Sequence, residues 1–435
     1  MDVTVWTGIV LFGLFFLFLF IGVPISVSIA VAAFAAALIV LPMTPSLLAI
    51  SQQLITGVDS TVLLALVFFM LAGSIMNNGG IADRLINLAK LFGGRMSGSL
   101  AHTNIIGNML FGAISGSAIA AAATMGRIMH PQEKKEGYDP SYSAAVNIAS
   151  APTGLIIPPS STPIIFSLLS GGTSIGALFI AGYLPGILMA MLLMIVAYIM
   201  AKRANYSVAK KTNSGEALKV FLQSIPSLLL IIIVIGGIAG GVFTVTEGAA
   251  VAVFYAAILS LVYRQLKLSD VPKILKETVI YSGIILLLIG ASTAMSWVLS
   301  YAGIPQAITG ALLSITDNTS ILLLIMLLIL LVIGTFMDVA PALLIFTPIL
   351  FPIATQMGIN PVHFGMIMTM ALAIGVTTPP IGTVLFIGSS VSGVRIEKVI
   401  PKLVVFYIPL VVALILVAFV PQISLFLPRL FGLVG

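Results

Sequence analysis

The chain has 435 residues, 60% of them hydrophobic and 7% charged, with a formal net charge of +6 and a mean hydropathy of +1.22. A soluble domain carries about 25% charged residues, so the composition excludes a protein that could cover itself with a water-facing surface. The absence of cysteine excludes disulfides, thiolate metal sites and cysteine catalysis.

Long uncharged runs take the place of the ~10-residue alternating segments of a β-barrel. They point to an all-α polytopic membrane protein. The N-terminal MDVTVWTGIVLF has no basic n-region and no small-residue cleavage site, so it reads as a first span and not as a removable signal. The elements then follow in order. Spans are expected near 4–21 and 24–41, an uncharged connection at 43–60, and a span at 61–78. An amphipathic interfacial helix follows at 81–94. The stretch 98–126 is apolar with GAISGS (112–117) at its centre, and 140–170 and 177–201 come next. Further spans are expected at 220–240, 244–263 and 277–300, and a second interfacial helix at 304–315. The last elements are uncharged 319–352, then 361–391 and 403–425.

The basic residues fix a topology. They fall in clusters: Arg84, Lys90 and Arg95; Arg127, Lys134 and Lys135; Lys202, Arg203, Lys210, Lys211 and Lys219; Arg264, Lys267, Lys273 and Lys276; Arg395, Lys398 and Lys402. With every cluster cytoplasmic, all of the 19 except Arg429 share one side. Basic residues flank 98–126 on both sides, so it enters and returns from the cytoplasm as a re-entrant hairpin with GAISGS near its tip. The stretch 319–352 has none on either flank and reads as a hairpin entering from outside. This distribution suits cytoplasmic loops and not nucleic-acid binding.

The chain is also a repeat. Shifted by 221 residues, YDPSYSAAVNIASAPTGLIIPPSST (138–162) lies over INPVHFGMIMTMALAIGVTTPPIGT (359–383). Pro140 matches Pro361, Gly154 matches Gly375, Pro158-Pro159 match Pro379-Pro380, Thr162 matches Thr383, and Pro131 matches Pro352. The repeats span 1–218 and 219–435, each with about five spans and one hairpin. An odd number of spans turns the second copy upside down. An inverted-topology repeat with interrupted helices is the architecture of secondary transporters, whose sites lie at the repeat interface.

The interruptions carry the chemistry. Proline removes a backbone donor and clashes with the preceding turn, so 140–170 and 361–391 break at their double prolines. Breaking a helix in lipid frees the carbonyls of residues 154–157, which is tolerable only beside protein, an ion or a water-filled cavity. Unwound carbonyls coordinate sodium in such transporters, while a half-helix start offers N–H groups and a positive dipole end to an anion. Those starts carry Ser160, Ser161 and Thr162 in the first repeat and Thr383 in the second. The hairpin tips add Ser115 and Ser117, and Ser117 aligns with Asp338 of GTFMD (334–338). Taken alone, GAISGS also fits close helix packing; its recurrence beside a broken helix in both repeats favours a cation site. An acid within apolar sequence marks an ion or proton path. Two such acids occur, Asp338 and Glu247, and Glu247, beside a glycine-rich turn, reads as structural. His102, His130 and His363 show no metal spacing and are expected to cap or pack.

The motifs GAISGSAIAAAATMG, GLIIPPSS, FTPILFPIATQMGINPVHFG and GVTTPPIGTVLF together resemble the large membrane subunit of tripartite ATP-independent periplasmic (TRAP) transporters, over essentially the whole chain. The overall character is closest to the sialic-acid branch, and the C4-dicarboxylate branch shares nearly all of it. The resemblance implies a small four-helix membrane subunit, expected as a separate chain, and a soluble periplasmic substrate-binding protein. It also implies residence in the bacterial inner membrane, co-transport of two or more sodium ions and an elevator motion of the hairpins and broken helices against the other helices. Carried onto this sequence, it implies one sodium site at Ser115, Ser117, Gly154, Ile157 and Pro159. The other would be at Thr335, Asp338, Gly375, Thr378 and Pro380, with Ser160, Ser161, Thr162 and Thr383 lining the substrate pocket. Two other classes compete: an intramembrane serine hydrolase pairing Ser115 or Ser117 with His102 or His130, and a passive channel. No GxxxxGK[ST] pattern occurs, so the chain does not itself hydrolyse ATP.

Overall fold

The computed structural model describes residues 2–94, 96–206, 214–316 and 318–434. Three basic residues used for the topology, Arg95, Lys210 and Lys211, lie outside the described residues. Among the described residues the regular structure is helical throughout. In chain order the first half comprises α1 (Val3–Ile21), α2 (Ile25–Val40), α3 (Met43–Val58), α4 (Thr61–Asn78), α5 (Ile81–Gly93), α6 (Ser99–Ser115), α7 (Ala118–Lys135), α8 (Pro140–Ser150), α9 (Thr153–Ile156), α10 (Ser161–Leu169) and α11 (Ile175–Arg203). The second comprises α12 (Ser214–Ala239), α13 (Val245–Val262), α14 (Val271–Tyr301), α15 (Ile304–Ile315), α16 (Thr319–Phe336), α17 (Val339–Gln356), α18 (Pro361–Gly375), α19 (Thr383–Ser392), α20 (Ile396–Phe419) and α21 (Gln422–Leu430).

Nine of the described helices are long and apolar enough to cross a membrane, and the bent pair Pro140–Ile156 and Ser161–Leu169, kinked by 51°, makes a tenth span if counted as one. Helix boundaries recur at the 221-residue offset. α7 starts at 118 and ends at 135, α17 at 339 and 356; α8 starts at 140 and α18 at 361; α11 starts at 175 and α20 at 396. Packing is reciprocal as well. α2 packs on α14 and α4 on α13, while α7 packs on α19 and α17 on α10, so each hairpin's second arm lies against the other repeat's half-helix.

The broken helices occupy the centre. Every residue of α18 from Val362 to Gly375 is buried, and so is every residue of α8 from Tyr142 to Ser150, the signature of a helix enclosed on all sides. α1, by contrast, buries only Thr7, Leu11 and Phe15 and leaves the rest of its apolar surface outward. α5 is amphipathic as expected, burying Ile81, Leu85, Ile86 and Ala89 and exposing Asp83.

Two segments differ from the expectation. Residues 43–60 hold helix α3 and not a bare connection. Its Gly57 comes so close to Gly290 and Thr293 of α14 that a side chain would overlap them, and Leu54 meets Gly290. That packing supplies the stability its sequence, with Ser51, Gln52 and Gln53 in mid-helix, does not advertise. The expected span at 403–425 begins earlier, at Ile396, and ends at Phe419. Pro421 then opens a separate amphipathic helix, α21, which packs on α11.

Candidate cation and substrate site

Hairpin 1 (α6 and α7) turns at Gly116, whose left-handed backbone (φ +62°) lets its N–H bond the Gly112 carbonyl at 2.8 Å. Ser117 then caps α7, its Oγ accepting from the Ala120 N–H at 3.3 Å. The Ser115 hydroxyl lies 3.4 Å from both the Gly112 and the Ser117 carbonyls. Hairpin 2 (α16 and α17) places Asp338 at the same point. It caps α17, accepting from the Val339 N–H at 2.9 Å, where a carboxylate complements the helix dipole.

Each tip is seated on a broken helix through a pair of glycines. A Cβ built on Gly112 would lie 2.5 Å from the Gly154 Cα, and one on Gly154 would overlap Gly112. In the second repeat a Cβ on Gly334 would lie 2.8 Å from the Gly375 Cα, and one on Gly375 would lie 2.5 Å from the Gly334 Cα. Only glycine lets two backbones approach this closely. A second bridge joins tip to half-helix: the Ser161 hydroxyl donates to the Gly116 carbonyl at 3.4 Å, and at the equivalent position the Gly382 N–H donates to the Thr335 carbonyl at 2.9 Å.

The breaks themselves follow from proline chemistry. Pro158 and Pro159, joined by a cis bond, cannot donate to the carbonyls of Gly154 and Leu155 four residues earlier. The Leu155 carbonyl is taken up by the hydroxyls of Ser160 (2.7 Å) and Thr162 (3.0 Å), so it is not one of the free oxygens expected at this break. Both hydroxyls are buried. Ser160 and Thr162 therefore turn inward and close the break, and Ser161 faces the hairpin tip. Ile157 is buried against Gly186 of α11, and Pro159 is buried beside it.

The second break, residues 376–382, closes differently. The Thr378 N–H bonds the Gly375 carbonyl at 2.8 Å, and the Val384 N–H bonds the Val376 carbonyl at 3.0 Å. The Thr378 hydroxyl donates to Ile374 and that of Thr335 to Val332. Tyr407 of α20 donates to the Thr377 carbonyl at 2.7 Å. Pro380 is exposed, while the Thr383 hydroxyl is buried without a partner. The structure thus sets the tip that carries Ser115 and Ser117 on Gly154 through Gly112, and the tip that carries Thr335 and Asp338 on Gly375 through Gly334.

Glu247 is structural, as expected: with Thr244 it forms a capping box at the start of α13. It is exposed there and not deep in apolar surroundings. His363 ties α18 to α20 and α21 through Ser424 (2.7 Å) and the Ala418 carbonyl (3.3 Å). His102 bonds the Ser97 carbonyl at 3.2 Å. It lies on the same helix as Ser115, thirteen residues away or about 20 Å, and His130, bonded to the Ser392 backbone, lies equally far along α7 from its cap Ser117, so each histidine stands at the far end of its arm from the tip serines.

One constellation escaped the sequence reading. Asn108 places its amide N–H₂ among four oxygens at 2.8–3.3 Å: Asn104 Oδ1, the Asn147 carbonyl, Asn147 Oδ1 and Ser150 Oγ. Asn147 in turn donates to the Ala122 carbonyl at 2.8 Å, and Asn104 to Glu133 Oε1 at 3.4 Å. The four-residue spacing of Asn104 and Asn108 on one helix was the available signal.

The sequence profile described as "Tripartite ATP-independent periplasmic transporter, DctM component" matches residues 12–423. The chain belongs to this TRAP transporter family. Among similar proteins, YgiK of Salmonella typhimurium is 52% identical over 424 residues, covering 98% of each chain. The sialic acid TRAP transporter large permease SiaM of Vibrio cholerae is 38% identical over 398 residues, covering 91% of this chain and 93% of its own. The C4-dicarboxylate TRAP transporter large permease DctM of Pseudomonas aeruginosa is 37% identical over 401 residues, covering 92% and 94%. Among solved structures, the YdaH transporter of Alcanivorax borkumensis matches with a TM-score of 0.65 at 14% identity, over 89% of this chain and 90% of that one. That likeness bears on the fold alone. As a TRAP large permease the chain is a multi-pass protein of the bacterial inner membrane and not an enzyme, and the family implies a small membrane subunit and a periplasmic binding protein as partners.

Proposed function

We propose that the chain is the large permease subunit of a sodium-coupled TRAP transporter that takes up a small organic anion, in the first instance a sialic acid such as N-acetylneuraminate. Hairpins and broken helices (α6–α10 and α16–α19) form the moving part, and the remaining helices form the scaffold, with α5 and α15 linking the two. The two repeats run in opposite directions through the membrane, so that the tips meet near its middle. One sodium ion is held by Ser115, Ser117 and the carbonyls of Gly154, Ile157 and Pro159. A second is held by Asp338, Thr335, Thr378 and the carbonyls of Gly375 and Pro380. Ser161 and Thr383 face the anion, and Ser160 and Thr162 hold the shape of the break behind them.

The observation that carries this reading is the doubled glycine seat. Two tips, each rich in oxygen and each pressed against a helix broken at a double proline, recur in the two repeats. Helix packing explains a single small-residue turn, and it offers no reason for a carboxylate at the second tip.

The test is uptake into proteoliposomes by the chain assembled with its small subunit and its binding protein. Ser117→Ala and Asp338→Ala are each expected to weaken the sodium dependence of uptake while the protein still folds. A sodium titration that is unchanged in both variants would refute the site. Uptake of a C4-dicarboxylate in place of N-acetylneuraminate would move the substrate and leave the coupling untouched.

A further inference from the structure

Beneath the tip of hairpin 1 the fold encloses a carboxyl group with no ion pair to a cation among the described residues. Glu133 is 1% exposed and sits in the last turn of α7, beyond the apolar stretch 98–126 and outside every candidate span. Its Oε1 accepts from Asn104, and the Ser143 hydroxyl is the other polar group at hand. The elements packed against α7 are α6, α8, α9 and α19, and Ile86 of α5, the helix that carries Asp83, Arg84 and Lys90, meets Met125 and Met129. They bring His102 from α6, held by the Ser97 carbonyl, and Tyr142 from α8, whose hydroxyl donates to the Ala197 carbonyl; α9 and α19 bring no titratable side chain. Tyr138 approaches from the turn before α8. α7 itself carries Arg127, His130, Lys134 and Lys135, and none of them is ion-paired with Glu133 among the described residues. Burial accordingly pushes the Glu133 carboxyl up to about 7, against the smaller opposing pull of Asn104 and Ser143.

This acid is wired to the break. From Glu133 the hydrogen bonds run through Asn104 to Asn108, and from Asn108 to Asn147 and Ser150 of α8. Asn108 stands one helical turn before Gly112, the glycine seated on Gly154. The fold does not require such a path. In the second repeat, counted from the seat glycines Gly112 and Gly334, the places of Asn104 and Asn108 are taken by the buried Met326 and Leu330, and at the 221-residue offset those of Glu133, Asn147 and Ser150 by Ala354, Met368 and Ala371, and hairpin 2 is seated equally well without them. A buried polar chain that only one repeat keeps, and that ends on an acid, carries a function beyond packing.

We propose that Glu133 is a proton-binding site inside hairpin 1, and that its proton opposes the cation at the hairpin 1 tip through the Asn104–Asn108–Asn147 relay. The coupling rests on the cation site proposed above. When Glu133 loses its proton, the negative charge draws in the Asn104 N–H₂ and, through Asn108 and the Gly112 seat, favours a cation at the tip, about 24 Å away at the other end of α7. By reciprocity, a cation that binds at the tip expels the proton. Sodium affinity therefore strengthens as pH rises.

The experiment uses the assembled transporter in proteoliposomes, with sodium as the probe. Infrared spectra of the wild type are expected to show a protonated-carboxyl band that disappears as pH is raised through neutrality and is missing in Glu133→Gln. The apparent sodium affinity of wild-type uptake should strengthen about fivefold or more between about pH 6 and about pH 8. In Glu133→Gln it should stay at the weak, low-pH value throughout. Asn104→Met, which installs the residue of the second repeat, should keep the band and lose the pH dependence of sodium affinity. A Glu133→Gln variant that keeps either the band or the wild-type pH dependence would overturn the proposal. Uptake indifferent to sodium at every pH, with the band still titrating in the wild type and absent in Glu133→Gln, would overturn the cation site and leave the proton site standing.

Discussion

At the tip of hairpin 1 the turn is Gly116, left-handed at φ +62°, followed by Ser117; at the tip of hairpin 2 the same two positions are Met337, extended at φ −131°, and Asp338. Beneath the first tip lies the polar chain that ends on Glu133, and beneath the second lie methionine, leucine and alanine. The backbones of the two units are nearly interchangeable, with equal helix lengths in the second arms, a glycine seat in each and a half-helix packed on the opposite hairpin. Their charges are not. One unit carries its acid at the tip, the other at the base. The geometry common to both halves is kept by glycine and proline, while the polar side chains around it diverge.

The largest effects should come from the shared part. Gly154→Ala and Gly375→Ala each drive a methyl group into the backbone of the facing hairpin. Overpacking of this kind costs about 3 kcal/mol, and uptake should be lost in both variants. Gly283→Ala serves as the control. That glycine is exposed within α14 with nothing near a built Cβ, so alanine there should stabilise the helix by up to about 1 kcal/mol. Thermal midpoints in detergent would compare the three. A tolerated alanine at one seat and not the other would mean that the two hairpins are not equivalently held.

The unshared part should give a smaller, one-sided effect. Asn147→Met copies the second repeat into the first. It strips the Ala122 carbonyl of its donor and removes an acceptor of Asn108, both in buried surroundings, at a cost of about 2 kcal/mol. The opposite repeat tolerates change at the matching place, because Met368→Leu exchanges one buried apolar chain for another of similar volume and should cost less than about 1.5 kcal/mol. Equal losses in the two variants would show the polar chain to be mere filler.

The comparison also explains what the sequence could reveal. The tips, the double prolines and the glycines at 154 and 375 were legible because the 221-residue repeat prints each of them twice. Glu133 was not. It stands in PQEKKEG (131–137), a charged run that reads as solvated, and only the closure of α6 and α8 over it makes it a buried acid. Asn104 and Asn108 look like ordinary small polar residues until Asn147 is brought across from α8. Helix α3 was hidden for the same reason: glutamine and serine break its hydropathy, and its stability comes from contact with α14 over 220 residues away in the chain. The break at Val420-Pro421 was hidden by the opposite cause, an apolar run that passes through the end of one helix into the next.

The smallest predicted effect tests how far the divergence extends around the breaks. On the first-repeat side, Gly182 and Gly186 of α11 let the break press directly on the helix, Ile156 against Gly182 and Ile157 against Gly186. At the offset of Gly186 the second repeat has Tyr407, whose hydroxyl holds the Thr377 carbonyl at 2.7 Å. Against the flanking long helix, one break is held by shape and the other by a hydrogen bond. Tyr407→Phe keeps the ring and removes only that bond, so it should lower stability by about 1 kcal/mol and leave the hairpin 2 seat in place. Because the freed carbonyl lies next to Thr378, a proposed ligand, the apparent sodium affinity should weaken along with the midpoint. A Tyr407→Phe variant with an unchanged sodium titration would restrict the ligand cluster to the Asp338 side of the break.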